Sequence, residues 1–145
     1  MSTFADRLAA TASRVEANTS GHVNERIARE TRDRIACYRN ASRDTITSRL
    51  QELDREWDIE RVLQTNAGMA GLTGAVLALT VDRKFALISA FVGAFLVQHA
   101  LQGWCPPLPL LRRAGVRTAH EINEERIALM KMRGDFGEPR EEPPI

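Results

Sequence analysis

The sequence predicts an all-α chain built on a two-helix transmembrane antiparallel hairpin flanked by cytoplasmic amphipathic helices. Val62 to Val81 and Phe85 to Leu111 carry no charged side chain, in a protein where 27% of residues are charged, and only Asp82-Arg83-Lys84 separates them. At 1.5 Å rise per residue the first stretch forms a helix of about 30 Å, the hydrocarbon thickness of a bilayer. The flanks are charge-balanced instead: residues 1–61 hold 11 Arg against 11 acidic residues, and residues 112–145 hold 7 basic against 7 acidic. A net charge of +1 distributed this evenly offers no basic face, which excludes nucleic acid as a partner.

The elements follow in order. Residues 1–21 read as a short helix and linker, with Phe4, Leu8, Ala12 and Val15 at helical spacing before the turn-forming Asn18-Thr19-Ser20-Gly21. No apolar core follows the first residues, so no cleavable signal peptide is expected there. Residues 22–61 form a polar amphipathic segment in which Val23, Ile27, Ile35, Tyr38, Ile46, Leu50, Leu53 and Trp57 mark one face. Asn40-Ala-Ser42 is its expected break, with Ser42 as the N-cap of a second helix. No Gly or Pro lies between Arg43 and Ala67, so this helix is expected to run directly into the first hydrophobic one. Residues 62–111 are the hairpin, with spans 62–81 and 85–103 and a tight three-residue turn. Cys105-Pro-Pro-Leu-Pro109 then ends the second span, because proline lacks the donor that a helix interior requires. In residues 112–136 a capping-box pattern, Thr118-Ala-His-Glu121, opens an amphipathic helix with Ile122, Leu129 and Met132 as its apolar stripe, ending near Gly134. The charged, proline-rich residues 137–145 have nothing to bury and read as disordered.

Two cues set the orientation. Arg49, Arg55 and Arg61 precede the hairpin and Arg112, Arg113 and Arg117 follow it, whereas only Arg83 and Lys84 lie in the turn. By the positive-inside rule both termini are expected in the cytoplasm, with Trp57, Trp104, Arg112 and Arg113 as interface anchors. Small residues at four-residue spacing let membrane helices approach closely. Ala67, Gly71, Ala75 and Gly74 in the first span, with Ala90, Gly93 and Ala94 in the second, are the expected packing positions.

The candidates for chemistry lie at the open end of the hairpin. An antiparallel arrangement brings Gln64 and Asn66 level with Gln98, His99 and Gln102, a polar cluster at membrane depth where side chains need partners. The two cysteines, Cys37 and Cys105, are far apart in sequence and are expected to be free thiols. Cys105 is the candidate reactive thiol, since Arg112 and Arg113 follow closely and a nearby guanidinium favours thiolate. Cys37 to Arg43 matches a Cys-x5-Arg pattern, but without the strand and glycines that such an anion-binding loop requires. No metal-ligand spacing and no cofactor motif is present, so neither a metal nor a cofactor is expected.

The hairpin ending in Gly103-Trp-Cys-Pro106 resembles the YgaP-like transmembrane domain, a bacterial family of unknown function. Glu52 to Arg61 before it, and Arg117-Thr-Ala-His-Glu121 with Arg133-Gly-Asp-Phe136 after it, resemble a longer subgroup, so that the resemblance spans residues 22 to 136. Family members are sometimes fused to a rhodanese domain. This chain has none, and sulfurtransferase activity is not implied. The resemblance implies a bacterial inner-membrane protein. Its partners are expected to be the lipid bilayer, a second copy of the chain or a cytoplasmic protein, and its role self-association or recruitment rather than catalysis. Two alternatives stand beside this reading: a sulfur or redox relay through Cys105 with a separate cytoplasmic protein, and a soluble helical bundle.

Overall fold

A computed structural model describes Ala10 and residues 13–137, and every described element is helical. The helices are α1 (Arg14–Ala17), α2 (Gly21–Cys37), α3 (Arg43–Arg55), α4 (Ile59–Thr80), α5 (Ala86–Gln102), α6 (Leu108–Arg113) and α7 (Ala119–Arg133). Phe4, Leu8 and Ala12 of the expected N-terminal helix, and the tail from 138, lie outside the described residues.

α4 and α5 form the antiparallel hairpin. Both are long and apolar enough to cross a membrane, and only 11% and 6% of their most apolar stretches are buried within the protein. Leu72, Leu79, Leu87, Phe91 and Val97 point outward, Leu79 being 88% exposed. A soluble helix hydrophobic on all sides would be covered; this surface is an apolar belt of the kind that lipid covers. The turn is a single 3-10 turn, Arg83–Phe85, opened by Asp82, whose carboxylate accepts from the Lys84 backbone N–H at 2.8 Å.

The hairpin closes on fewer small residues than the spacing predicts. Gly74 is buried, and a Cβ there would stand 2.9 Å from Ile88 Cβ and from Ser89 Oγ. One turn away, Ser89 Oγ donates to the Gly71 carbonyl at 2.8 Å, and Ala67 is partly covered on the same face. Ala75, Ala90, Gly93 and Ala94 instead point away from the partner helix and are exposed. Small residues at four-residue spacing cover more of each helix than one contact uses, and in α4 the contact draws Gly71 and Gly74 from neighbouring lines.

The expected continuous helix through Arg43 to Ala67 is interrupted. α3 ends at Arg55, Glu56 is extended, and Asp58 caps α4 by accepting from the Arg61 N–H at 2.8 Å. Arg117 fixes the break from across the fold: its guanidinium grips the Glu56 carboxylate at 2.6 and 2.7 Å, and its carbonyl accepts the Ile59 N–H at 2.9 Å. A second difference lies after Cys105. The proline-rich stretch makes a turn and then α6, where Pro109 occupies the first turn and needs no donor. The expected boundary between residues 111 and 112 therefore falls inside a helix.

The flanks fold together. α2, α3 and α7 pack as a bundle whose apolar cluster contains Ile46, Leu50, Leu53, Ile122 and Leu129. Ser42 caps α3 through the Thr45 N–H, and Thr118 and Glu121 form a reciprocal capping box at α7. Gly134 ends α7 in the left-handed region at φ +88°. Met132 is exposed rather than part of the stripe, and Glu125 takes a buried position on that face instead. A second cluster, Val15, Ile59, Leu63, Cys105 and Leu108, joins α1 and α6 to the foot of the hairpin. Gly103 makes that junction possible, with φ +76° and a Cβ position only 2.6 Å from the Arg14 carbonyl oxygen.

The two glycine environments separate packing from composition. Gly74→Ala is expected to force the hairpin apart and lower its thermal midpoint in detergent. Gly93→Ala, where added Cβ meets nothing within 4 Å, is expected to be neutral or stabilising by up to about 1 kcal/mol from helix propensity. Equal losses at both positions would contradict this packing.

Candidate functional site

Between the two apolar clusters lies a layer of buried charge that the sequence reading does not contain. Arg112 is 0% exposed, and each of its five N–H groups has an acceptor. Nε donates to Thr19 Oγ1 at 3.2 Å, Nη1 to the Val116 carbonyl at 3.0 Å and Glu121 Oε2 at 2.7 Å, and Nη2 to Asn24 Oδ1 at 2.9 Å and Glu121 Oε1 at 2.7 Å. The expectation that Arg112 anchors the chain at the lipid surface is corrected here: its charge faces a carboxylate inside the protein. Arg113 is exposed, as are Trp57 and Trp104, and Trp57 stacks with the Arg61 guanidinium 4.4 Å above its ring.

Glu125, also 0% exposed, completes the layer by accepting from Arg117 at 2.5 Å, Arg49 at 2.9 Å and Arg34 at 3.3 Å. Burial pushes the Glu121 and Glu125 carboxyls up, but the guanidinium hydrogen bonds more than reverse this and hold both below the usual carboxylate value of 4.5.

The expected five-residue polar cluster does not assemble. Gln64, Asn66 and Gln102 are exposed and Gln98 half-buried, and Asn66 donates to the Val62 carbonyl of its own helix. Only His99 is buried, and its Nε2 lies 2.9 Å from Oε2 of Glu60, whose other oxygen accepts from Arg14 at 2.9 Å. The relay Arg14–Glu60–His99 thus ties α1 to both hairpin helices. Glu60 and Arg14 were beyond reach because Glu60 falls before the uncharged stretch and Arg14 in a separate helix. The available signal was the acidic residue in the first turn of α4, level with a histidine near the end of α5.

Beside this relay a cavity of about 330 Å³ opens between the two helices and the Cys105–Pro107 turn. Its wall is formed by Leu63, Ala67 and Ala70 from α4 and by Val92, Phe95 and Leu96 from α5, with Asn66, His99 and Cys105 as its polar members. Cys105 is buried, and desolvation raises its thiol, with the Glu60 charge acting in the same direction against a hydrogen bond from the Leu108 backbone. The Arg112 charge invoked to favour thiolate is neutralised by Glu121. Cys37 is exposed at the end of α2, and Arg43, the other end of its Cys-x5-Arg pattern, donates to the Arg133 carbonyl at 2.8 Å.

The hairpin, α6 and the start of α7 run from the Asp58 cap to the Glu121 carboxylate. Residues 58–121 match the family model described as inner membrane protein YgaP-like, transmembrane domain. Over this segment the chain is similar to the YgaP-like transmembrane domain family. The match is narrower than the resemblance over residues 22 to 136, since α2 and α3 lie outside it, and no curated protein or solved structure matches the chain. The matched segment therefore includes α6 and the Arg112–Glu121 pair as well as the hairpin, and the match and the two long apolar helices together support a membrane location.

Removing one partner of a buried pair leaves the other charge uncompensated, so Arg112→Met is expected to cost about 3–5 kcal/mol. The double variant Arg112→Met/Glu121→Leu is expected to recover most of that loss in thermal melts. Because the folded-state carboxyls of Glu121 and Glu125 lie below 4.5, their contribution is complete above that pH and is lost as pH falls through the folded values. Melts between pH 7 and pH 3 check this, and a midpoint flat across that range would contradict it.

Proposed function

We propose that the chain is a non-enzymatic inner-membrane anchor that holds a folded helical module at the cytoplasmic face and acts by self-association or by recruiting a cytoplasmic protein. The observation that carries this reading is the joining of α1 and α6 to the hairpin foot in one apolar cluster, with α7 tied to α6 through Arg112 and Glu121. The clustering of Arg49, Arg55, Arg61 and Arg113 at that side, against Arg83 and Lys84 at the turn, supports the cytoplasm as its location. Small exposed positions that the hairpin leaves unused, Gly68, Ala75, Ala90, Gly93 and Ala94, support close approach of a second copy.

Cys37 is a natural reporter of sidedness because it is exposed in the flank while Cys105 is buried. A membrane-impermeant maleimide is expected to label Cys37 in inverted membrane vesicles and not in intact spheroplasts, with Cys105 reacting far more slowly in both. Labelling of Cys37 in spheroplasts would reverse the assigned topology. For self-association, the detergent-extracted particle is expected to exceed the mass of one chain, and Gly93→Leu to reduce it. A single-chain mass at all concentrations would refute that part of the reading.

A further inference from the structure

Most hydrogen-bonding polar side chains of the hairpin are satisfied by a helix carbonyl. Asn66 donates to Val62, Thr73 to Met69, Thr80 to Val76 and Ser89 across the hairpin to Gly71. His99 differs, since its Nε2 meets a carboxylate while its buried Nδ1 has no partner among the described residues. An ionised carboxylate only accepts, so the proton of the Glu60–His99 bond sits on Nε2, and in the ring form that carries this single proton Nδ1 is an acceptor. His99 is 5% exposed and shares the wall of the 330 Å³ cavity, which gives a partner a route to the ring. An unmet acceptor beside an apolar cavity calls for a donor carried on an apolar body.

We propose that this cavity binds an uncharged membrane amphiphile whose hydroxyl donates to His99 Nδ1 while its apolar portion lies against Ala70, Val92, Phe95 and Leu96. The bilayer is the source because these wall residues belong to the two spans and the walls bring no unpaired charge to attract an ionic ligand. The inference rests on membrane insertion alone and is independent of which side the termini occupy.

The test uses the full chain purified in detergent and 1-decanol carrying a chain diazirine. Photolabelling is expected on the cavity wall, and unlabelled 1-decanol is expected to compete about tenfold better than methyl decyl ether, which keeps the chain but lacks the donor. His99→Leu is expected to abolish that preference. Ala70→Leu, which fills the cavity without touching the Glu60–His99 bond, is expected to bring labelling to background and covers the case in which the histidine variant does not fold. Equal competition by alcohol and ether in the parent, a preference surviving His99→Leu, or labelling unchanged in Ala70→Leu would each overturn the proposal. Displacement of the probe by dioleoylglycerol assigns the hydroxyl to a neutral glycerolipid and displacement by a long-chain quinol to a phenolic lipid; displacement by neither would also overturn it.

Discussion

The structure turns on the bidentate contact between Arg112 and Glu121. A guanidinium taken out of water loses several kcal/mol of hydration, and an interior position is tolerable only when its donors are all met and a carboxylate balances the charge. Arg112 meets both conditions by drawing acceptors from α1's following loop, α2, the loop after α6 and α7. Planarity makes this demanding: the five donors are fixed in one fork, so the acceptors must come to them. The same carboxylate completes the capping box with the Thr118 N–H, and a single side chain thereby starts α7 and ties it to α6. The flank bundle is positioned on the hairpin by this geometry more than by apolar area, which is divided into two modest clusters.

Arg117 and Glu125 extend the principle to α2 and α3. Glu125 gathers Arg34, Arg49 and Arg117, while Arg117 also holds Glu56 at the break before α4. The break has a consequence for the membrane. A continuous helix from Arg43 to Thr80 would carry the α3 bundle face along the hairpin axis, whereas the interruption at residues 56–58 frees α3 to pack on α7 and leaves α4 to start at its own cap. Ionic contacts in the flank thus determine where the membrane helix begins.

The hairpin was legible in the sequence because a bilayer imposes a length and forbids charge, and both constraints act on consecutive residues. The capping box at Thr118, the Ser42 cap and the turn at Asp82 were legible for a similar reason, each being decided within four residues. What was not legible depends on distant pairs. Arg112 and Arg117 look in the sequence like basic flanks of a span, and only the folded chain shows that each faces a buried carboxylate. The break at Glu56 carries no Gly or Pro, because its cause lies 61 residues away at Arg117. Four of the seven small-residue positions expected in the contact lie outside it, because spacing alone does not say which of them meets the partner helix. His99 belongs to the expected polar cluster, but its partner in the fold is Glu60, whose carboxylate lies just before the span, and not the residues on the adjacent turns.

The position of the cavity follows from the same electrostatics. Deep in the hairpin a polar side chain is held by a carbonyl of its own or the facing helix, and such a bond is complete in itself, leaving nothing to offer a ligand. In the flank bundle the opposite limit holds, since the buried charges of Arg112, Arg117, Glu121 and Glu125 are each matched by several partners. Only at the foot of the hairpin do the two regimes meet. There Glu60 is near enough to Arg14 to remain charged, His99 is near enough to Glu60 to orient one nitrogen, and the helices diverge around the Cys105–Pro107 turn instead of closing on a glycine. One ring atom is then left without a partner beside an apolar space. A polar group in that position is costly for an anchor with no other role. The side chain is retained at the one depth where an apolar molecule from the bilayer and a hydrogen-bonding group from the protein come within reach of each other.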